Sequence, residues 1–252
     1  MDNCNELALL MLARQRAYSW FQALLGAEPC ADTLAAALSD DALDALAFFA
    51  GEEGAAGAFG EALKNVREHQ VAWRADPEGF LDAARSAYGV LFVGPDHLPA
   101  PPWESCYREG SRALFQATTL EVRKAYFEDG LLPEGYPNVA DDHLAIELDY
   151  LAALGARASA ALEAGDCAHA ARALARPDGF RVSHLLKWVP AFACDLDNVP
   201  EVHHLFADVV QLLHRFLVLD GDVTGEMLGA LGALRGERDG AETDHTEGEP
   251  LR

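Results

Sequence analysis

The stretch LALLMLARQRAYSWFQALL, residues 7–25, decides the fold class. Its apolar side chains recur every three or four residues and follow one helical face: Leu7, Leu10, Met11, Tyr18, Phe21 and Leu25. Alanine and leucine dominate the rest of the chain and β-branched residues are sparse, which favours helices over strands. The sequence therefore predicts an all-α protein.

Further helices are predicted by the same periodicity and by local end signals. Asp76-Pro77 fits an N-cap and first helical position, Thr118 with Glu121 fits a capping box, and Gly130 fits the left-handed residue after a helix. The predicted helices lie at about 34–50, 56–74, 77–92, 104–116, 119–129, 142–164, 167–175, 180–195 and 200–219.

The chain divides into a long helical part and an acidic end. No repeat of a helical solenoid is present, so residues 1–222 are expected to form a single compact multi-helix domain. Residues 223–235 are expected to form a short C-terminal helix or linker. Residues 236–252 lack apolar periodicity, which predicts a disordered acidic tail.

Charge restricts the class of partner. The 252 residues include 19 Lys and Arg against 41 Asp and Glu, a net charge of −22. Such a surface repels nucleic acid and anionic membranes and attracts basic peptides, although high acidity also serves solubility alone. We therefore expect a basic partner and no nucleic acid.

Cysteine spacing and the N-terminus indicate the compartment. The five cysteines form no C-x-x-C pair, which argues against structural zinc and a disulfide framework. The first six residues include two acids and no lysine or arginine, unlike the basic start of a secretory signal. The apolar run Leu7–Ala13 stops at Arg14 and is too short to span a bilayer. A cytoplasmic protein without stable membrane insertion is expected.

A proline-rich segment, LFVGPDHLPAPPWES (residues 91–105), lies between helical stretches. Its prolines predict a rigid loop, and rigid loops on helical scaffolds often carry binding surfaces. The alternative is a simple connector with Trp103 packed into the core.

Two further motifs are candidates. Asp141-Asp142-His143 precedes an apolar helical pattern, so an aspartate either caps the helix or accepts a guanidinium group. In His184-Leu185-Leu186-Lys187-Trp188 the histidine is expected to be a satisfied core residue, and we exclude it from the site.

Read in order over about residues 85–220, these three motifs resemble the TorD/DmsD family of cytoplasmic chaperones, which is related to NarJ. The resemblance implies a protein that binds the twin-arginine signal peptide, the apo-form, or both, of a molybdopterin-dependent oxidoreductase precursor. It further implies help with cofactor insertion before export, and no enzymatic activity.

The resemblance also implies a peptide site, in which Tyr88, Leu91, Trp103, Tyr107, Asp142 and His143 stand at family positions. Phe92 as a groove wall and Asp141 as a second carboxylate complete the predicted set. Three departures suggest a different client: Val139-Ala140 where the family has Glu-Pro, Asp96 where relatives have Trp, and Gln116 where a glycine is usual.

Two alternatives stay open. Glu201, His204, His143 and Glu147 could form a metal site in a helical enzyme, but a second E-x-x-H motif is missing. The second alternative is a NarJ-like assembly chaperone for a cytoplasmic redox subunit.

The chain has no Walker A or G-x-G-x-x-G motif, so no stable cofactor and no catalytic residue are predicted. The sequence leaves the oligomeric state open between a monomer and a domain-swapped dimer.

Overall fold

The computed structural model describes residues 2–94, 98–110, 113–199 and 202–244, without the side chains of residues 2, 3, 53 and 237–244. No strand occurs within these residues, so the all-α prediction is confirmed. The helices are α1 Asp2–Leu25, α2 Ala31–Ala37, α3 Asp40–Ala56, α4 Ala58–Ala75, α5 Pro77–Tyr88, a π-helical turn at Gly89–Val93, α6 Ser105–Arg108, α7 Ala117–Glu128, α8 Leu144–Glu163, α9 Cys167–Ser183, α10 Leu185–Asp197 and α11 Leu205–Asp244.

The core is centred on three long helices, α1, α8 and α11. α1 packs against α8 and α11, α8 packs against α9, and α11 also contacts α4, α9 and α10. The periodic apolar face of α1 is buried here, with Met11, Tyr18 and Phe21 at most 1% exposed. Burial of such a face, more than helix propensity, stabilises helices of this length.

A buried ion pair joins α1 to α11. Arg14 donates to both carboxylate oxygens of Asp220 at 2.6 and 2.8 Å, and the Tyr18 hydroxyl donates to the same carboxylate at 2.5 Å. Both charged side chains are 0% exposed. Since an unpaired buried charge is strongly unfavourable, the pair fixes the position of α1 against α11.

Two of the predicted helix signals are confirmed. Asp76 accepts the Gly79 N–H at 3.0 Å with Pro77 at the first helical position of α5. Gly130 follows α7 with a left-handed φ of 65°.

The predicted capping box is wrong. α7 begins at Ala117, and both the N–H and the hydroxyl of Thr118 donate to the Glu109 carboxylate. A residue from outside the helix therefore satisfies the amide that a local cap would otherwise serve.

Several helix boundaries differ from the prediction. The predicted helix 34–50 is interrupted at residues 38–39, between α2 and α3. α6 ends at Arg108, shortly before Gly110 with its left-handed φ of 67°, so residues 113–116 are loop. α9 continues through Pro177, and the break falls at His184, whose backbone is non-helical. α11 extends without interruption to Asp244, across the expected boundaries at 222 and 235.

Some of the sequence predictions lie outside the described residues. These are Asp96, Glu201 and residues 245–252 of the predicted tail. None of the helices in the described part of the chain combines the length and apolarity needed to cross a bilayer.

Candidate functional site

The proline-rich loop and the N-terminus of α8 cross each other. The Leu144 N–H donates to the Pro102 carbonyl at 2.9 Å, and the Glu104 N–H donates to the Asp142 carbonyl at 3.0 Å. The Trp103 and His143 rings meet edge to face, with centroids 5.2 Å apart. Two motifs far apart in sequence are thus neighbours in space, which the sequence did not establish.

Asp142 holds this crossing together. Its side chain is 0% exposed, and its carboxylate accepts the Ser105 N–H and the Thr119 hydroxyl, each at 2.8 Å. α6, α7 and α8 are therefore joined at one buried group. Hydrogen bonds to a charged acceptor are stronger than neutral ones, which suits Asp142 to a positioning role.

Asp141 is also turned inward. Arg123 on α7 donates to one Asp141 oxygen from Nε at 2.9 Å and from Nη2 at 2.6 Å. The Tyr126 hydroxyl donates to the Asp141 carbonyl at 3.1 Å. The guanidinium group paired with this aspartate is thus supplied by the chain itself.

His143, and not an aspartate, caps α8. Its Nδ1 accepts the Ala145 N–H at 3.1 Å. Burial lowers the pKa of His143 to about 4, although nearby Asp142 acts in the opposite direction. The ring is therefore neutral near pH 7 and keeps Nδ1 as an acceptor.

An open cleft of about 560 Å³ lies beside this crossing. Its walls come from α1, from the loops before α6, α7 and α8, and from the first turns of α8. The lining residues are Gln22, Gly26, Trp103, Leu114, Phe115, Pro133, Glu134, Asn138, Val139, Ala140, His143, Ala145, Ile146 and Asp149. Among these residues are apolar and aromatic side chains and two carboxylates, and none is a lysine or arginine.

Phe115 is the most unusual residue of the cleft. Its φ of 58° is left-handed, a conformation that is unfavourable for a bulky side chain. The side chain is also 58% exposed. Strained backbone with an exposed aromatic ring is typical of functional surfaces.

The predicted site residues fall into three groups. Trp103 and His143 line the cleft, and Asp141 and Asp142 lie behind it. The other four, on α5, the π-helical turn and α6, pack inward. Leu91 is buried in the core, and three aromatic residues contact rings of α10 and α11: Tyr88, Phe92 and Tyr107 against Trp188, Phe192 and Phe206. Direct contact of these four and of the aspartates with a peptide stays a prediction.

Sequence reasoning missed most of the cleft wall. Leu114 and Phe115 fell within a predicted helix, whereas the chain there forms an irregular loop. Val139 was noted only as a departure from the family pattern. The available signal was Gly110, which follows the end of a helix and precedes two large apolar residues by four and five positions.

Two buried glutamates support the crossing from the other side. Glu104 accepts from Arg108 at 2.7 Å and lies 2.8 Å from Nδ1 of His184, so His184 is a satisfied buried residue. Trp188 donates to Glu147 at 3.2 Å. Burial, together with the charge of Glu104, raises the pKa of Glu147 well above its ordinary value.

The metal-site alternative has no geometric support among the described residues. They contain no group of three or more His, Cys, Asp and Glu side chains arranged to hold an ion. His143 caps α8 through Nδ1, Glu147 is bound to Trp188, and Glu201 lies outside the described residues.

These features define an all-α protein with a cleft formed by the loops around the N-terminus of α8. The family model described as nitrate reductase delta subunit matches residues 52–194, more than half of the chain. The chain belongs to this family, and the predicted TorD/DmsD membership is confirmed.

Relatives in the family carry chaperone names. The chain is 32% identical over 136 residues to the chaperone protein TorD of Vibrio cholerae, covering 53% of this chain and 55% of that protein. It is 30% identical over 112 residues to the Tat proofreading chaperone DmsD of Salmonella typhimurium, covering 40% and 54%. The matches span about half the length of these relatives.

Replacing Asp142 tests its positioning role. Asp142→Ala leaves the Ser105 N–H and the Thr119 hydroxyl without their buried acceptor, so we expect a loss of about 3 kcal/mol in the free energy of unfolding. Urea denaturation measures it. The control is Asp149→Ala in the following helix α8, at an exposed position, with an expected change within about 0.5 kcal/mol. Equal effects of the two variants would contradict the role.

The lowered pKa of His143 predicts a pH effect on stability. Because the pKa in the folded state lies below the ordinary value of 6.5, the contribution of neutral His143 is complete above pH 6.5 and is lost as pH falls toward 4. His143→Asn keeps a capping acceptor but does not titrate.

Between pH 7.5 and pH 5.0, the native protein should therefore lose about 2 kcal/mol more unfolding free energy than His143→Asn. Denaturant titrations at the two pH values give this difference, in which the other titrating groups cancel. Parallel losses in both proteins would show that the histidine pKa is not lowered.

Glu147 and Glu104 should respond differently to replacement by glutamine. Burial and the charge of Glu104 raise the pKa of Glu147 and favour its neutral form, which an amide resembles, so Glu147→Gln should change stability by no more than about 1 kcal/mol. Glu104→Gln weakens the contacts with Arg108 and His184 and should cost about 2–4 kcal/mol.

The raised pKa of Glu147 also predicts how the stability of Glu147→Gln compares with that of the native protein at different pH values. Stability from protonated Glu147 is complete below pH 4.5 and is lost as pH rises through the raised pKa, so Glu147→Gln should gain in stability relative to the native protein as the pH is raised. Thermal unfolding of both proteins across neutral and alkaline pH measures the gain. A larger cost for Glu147→Gln than for Glu104→Gln would argue against a raised pKa of Glu147.

Proposed function

We propose that this protein is a cytoplasmic chaperone for the maturation of a molybdopterin-dependent oxidoreductase, and that it binds the twin-arginine signal peptide of the precursor in the cleft beside α8. It holds the precursor until the cofactor has been inserted and catalyses no reaction. The observation that carries the proposal is the cleft itself, with its apolar and aromatic wall and carboxylates but no cation among the lining residues that the structure describes.

The cleft suits the two chemical parts of such a signal. The apolar run of the peptide would lie against Trp103, Phe115 and Ile146, and each buried square ångström of apolar surface contributes about 25 cal/mol. The arginines would approach an acidic surface, since the chain has a net charge of −22. An apolar groove with a few polar anchors is the usual form of a peptide site.

The motif Asp141-Asp142-His143 acts mainly through position in this proposal. Asp142 fixes the loop that carries Trp103, and neutral His143 presents its ring in the cleft. Direct pairing of Asp142 with a peptide arginine stays a sequence-based prediction; in this proposal Asp142 acts through position, because both of its oxygens are buried and already accept hydrogen bonds.

A second candidate is an assembly chaperone for a redox subunit without a signal peptide. The description of the matched family, nitrate reductase delta subunit, favours this second candidate. Capture of the tagged protein from its native cytoplasm, followed by mass spectrometry, separates the two. A precursor that retains its twin-arginine signal supports the first candidate, and a mature subunit without one supports the second.

The exposed ring of Phe115 provides a direct test of the cleft. Phe115→Ala should weaken binding of a fluorescent peptide with two adjacent arginines and an apolar run by about tenfold, because a buried aromatic contact is lost. Fluorescence anisotropy measures the affinity. The alanine keeps the backbone strain and removes only the ring.

Phe48 supplies a matched control for this experiment. It lies on α3, outside the cleft, and is 55% exposed against 58% for Phe115. Phe48→Ala should bind the peptide as the native protein does. Equal affinities of the two variants would remove Phe115 from the site, and no binding by the native protein would reject the proposed function.

A further inference from the structure

The carboxylates of the acidic motif are occupied by the chain's own donors. Asp141 accepts from Arg123, and Asp142 accepts from Ser105 and Thr119. Both side chains are 0% exposed. A guanidinium group in the cleft therefore needs other carboxylates, because both oxygens of Asp142 are already bound and Asp141 is buried, with one oxygen paired to Arg123 and the other enclosed in the fold.

Two other carboxylates line the same cleft. Glu134 belongs to the loop between α7 and α8, and Asp149 belongs to α8. Both side chains are exposed, and neither forms an ion pair or hydrogen bond within the described part of the chain. Elsewhere in this region, carboxylates such as Asp129 and Glu128 are paired with Arg176.

Helical spacing places Asp149 in line with the other α8 residues of the cleft. His143, Ile146 and Asp149 follow one another at intervals of three residues, so they lie on the same side of the helix. Along this side a polar residue is followed by an apolar one and then by an acidic one. Glu134 reaches the cleft from the facing loop. A cationic segment in the cleft thus meets carboxylates from two different elements, with apolar side chains between and beside them.

We propose that Glu134 and Asp149 are the residues that recognise the arginines of the bound peptide, while the buried Asp141-Asp142 pair only shapes the cleft. This inference rests on the proposed function and names the specificity residues of the same site. The occupant is a cationic peptide with an apolar run, chosen because the lining combines carboxylates with apolar side chains and, within the described part of the chain, contains no lysine or arginine.

The test removes both charges without changing side-chain size. Glu134→Gln combined with Asp149→Asn should weaken binding of the arginine-containing peptide by about tenfold or more, since charge-assisted contacts are replaced by neutral ones. Both positions are exposed, so the fold should be retained, and thermal unfolding confirms this. A peptide with glutamines in place of the arginines should bind the native protein and the double variant equally weakly.

The matched control removes the same two charges elsewhere. Glu68→Gln combined with Asp82→Asn alters exposed acids on α4 and α5, which contribute nothing to the cleft. This variant has the same net charge as the Glu134/Asp149 variant, so it separates a local contact from the general attraction of an acidic protein.

The outcomes distinguish this inference from the proposed function. Weak binding by the Glu134/Asp149 variant, with native affinity in the Glu68/Asp82 control, supports the assignment. Equal affinities of both double variants, with Phe115-dependent binding intact, overturn the assignment and leave the proposed function standing. Failure of the native protein to bind the arginine-containing peptide overturns both.

Discussion

The buried carboxylate of Asp142 is the constraint on which the cleft depends. A carboxylate that is 0% exposed must be satisfied by donors, and here they come from Ser105 at the start of α6 and from Thr119 in α7. Meeting this requirement brings the proline-rich loop onto the N-terminus of α8 and sets Trp103 against His143. The loops that wall the cleft are thus positioned by a group that does not itself reach solvent.

Internal pairing also determines which acids remain available. Arg123 neutralises Asp141, and Arg108 with His184 contacts Glu104. In a chain with a net charge of −22, cations are scarce, and several of those present are used inside the fold. Carboxylates at the cleft are then left without a partner from the described part of the chain. The acidic composition therefore attracts cations in general and also leaves unpaired acids at this cleft.

Sequence periodicity predicted the helices well where the cause is local. The face of α1, the Asp76 cap and the Gly130 terminus each depend on neighbouring residues, and each is confirmed. The failures have tertiary causes. Thr118 is bound by Glu109 from a different element, and the break at His184 lies where its ring meets Glu104, 80 positions earlier in the chain. No pattern within a window of one helix contains these contacts.

The candidate site was predictable as a region but not as a set of side chains. The motifs contain the residues that form the crossing of the loop with α8, although the sequence did not establish that they are neighbours in space. The wall is built by loop residues such as Leu114, Phe115 and Val139, which follow no period. The hydrogen-bonded crossing held by buried Asp142 forms the frame of the cleft, and the loop residues form its wall. The sequence of the wall can change while that of the frame stays the same. Changes such as Gln116 and Val139 therefore alter the lining or its surroundings without disturbing the hydrogen bonds of the frame, which under the proposed function would allow related proteins to bind different clients.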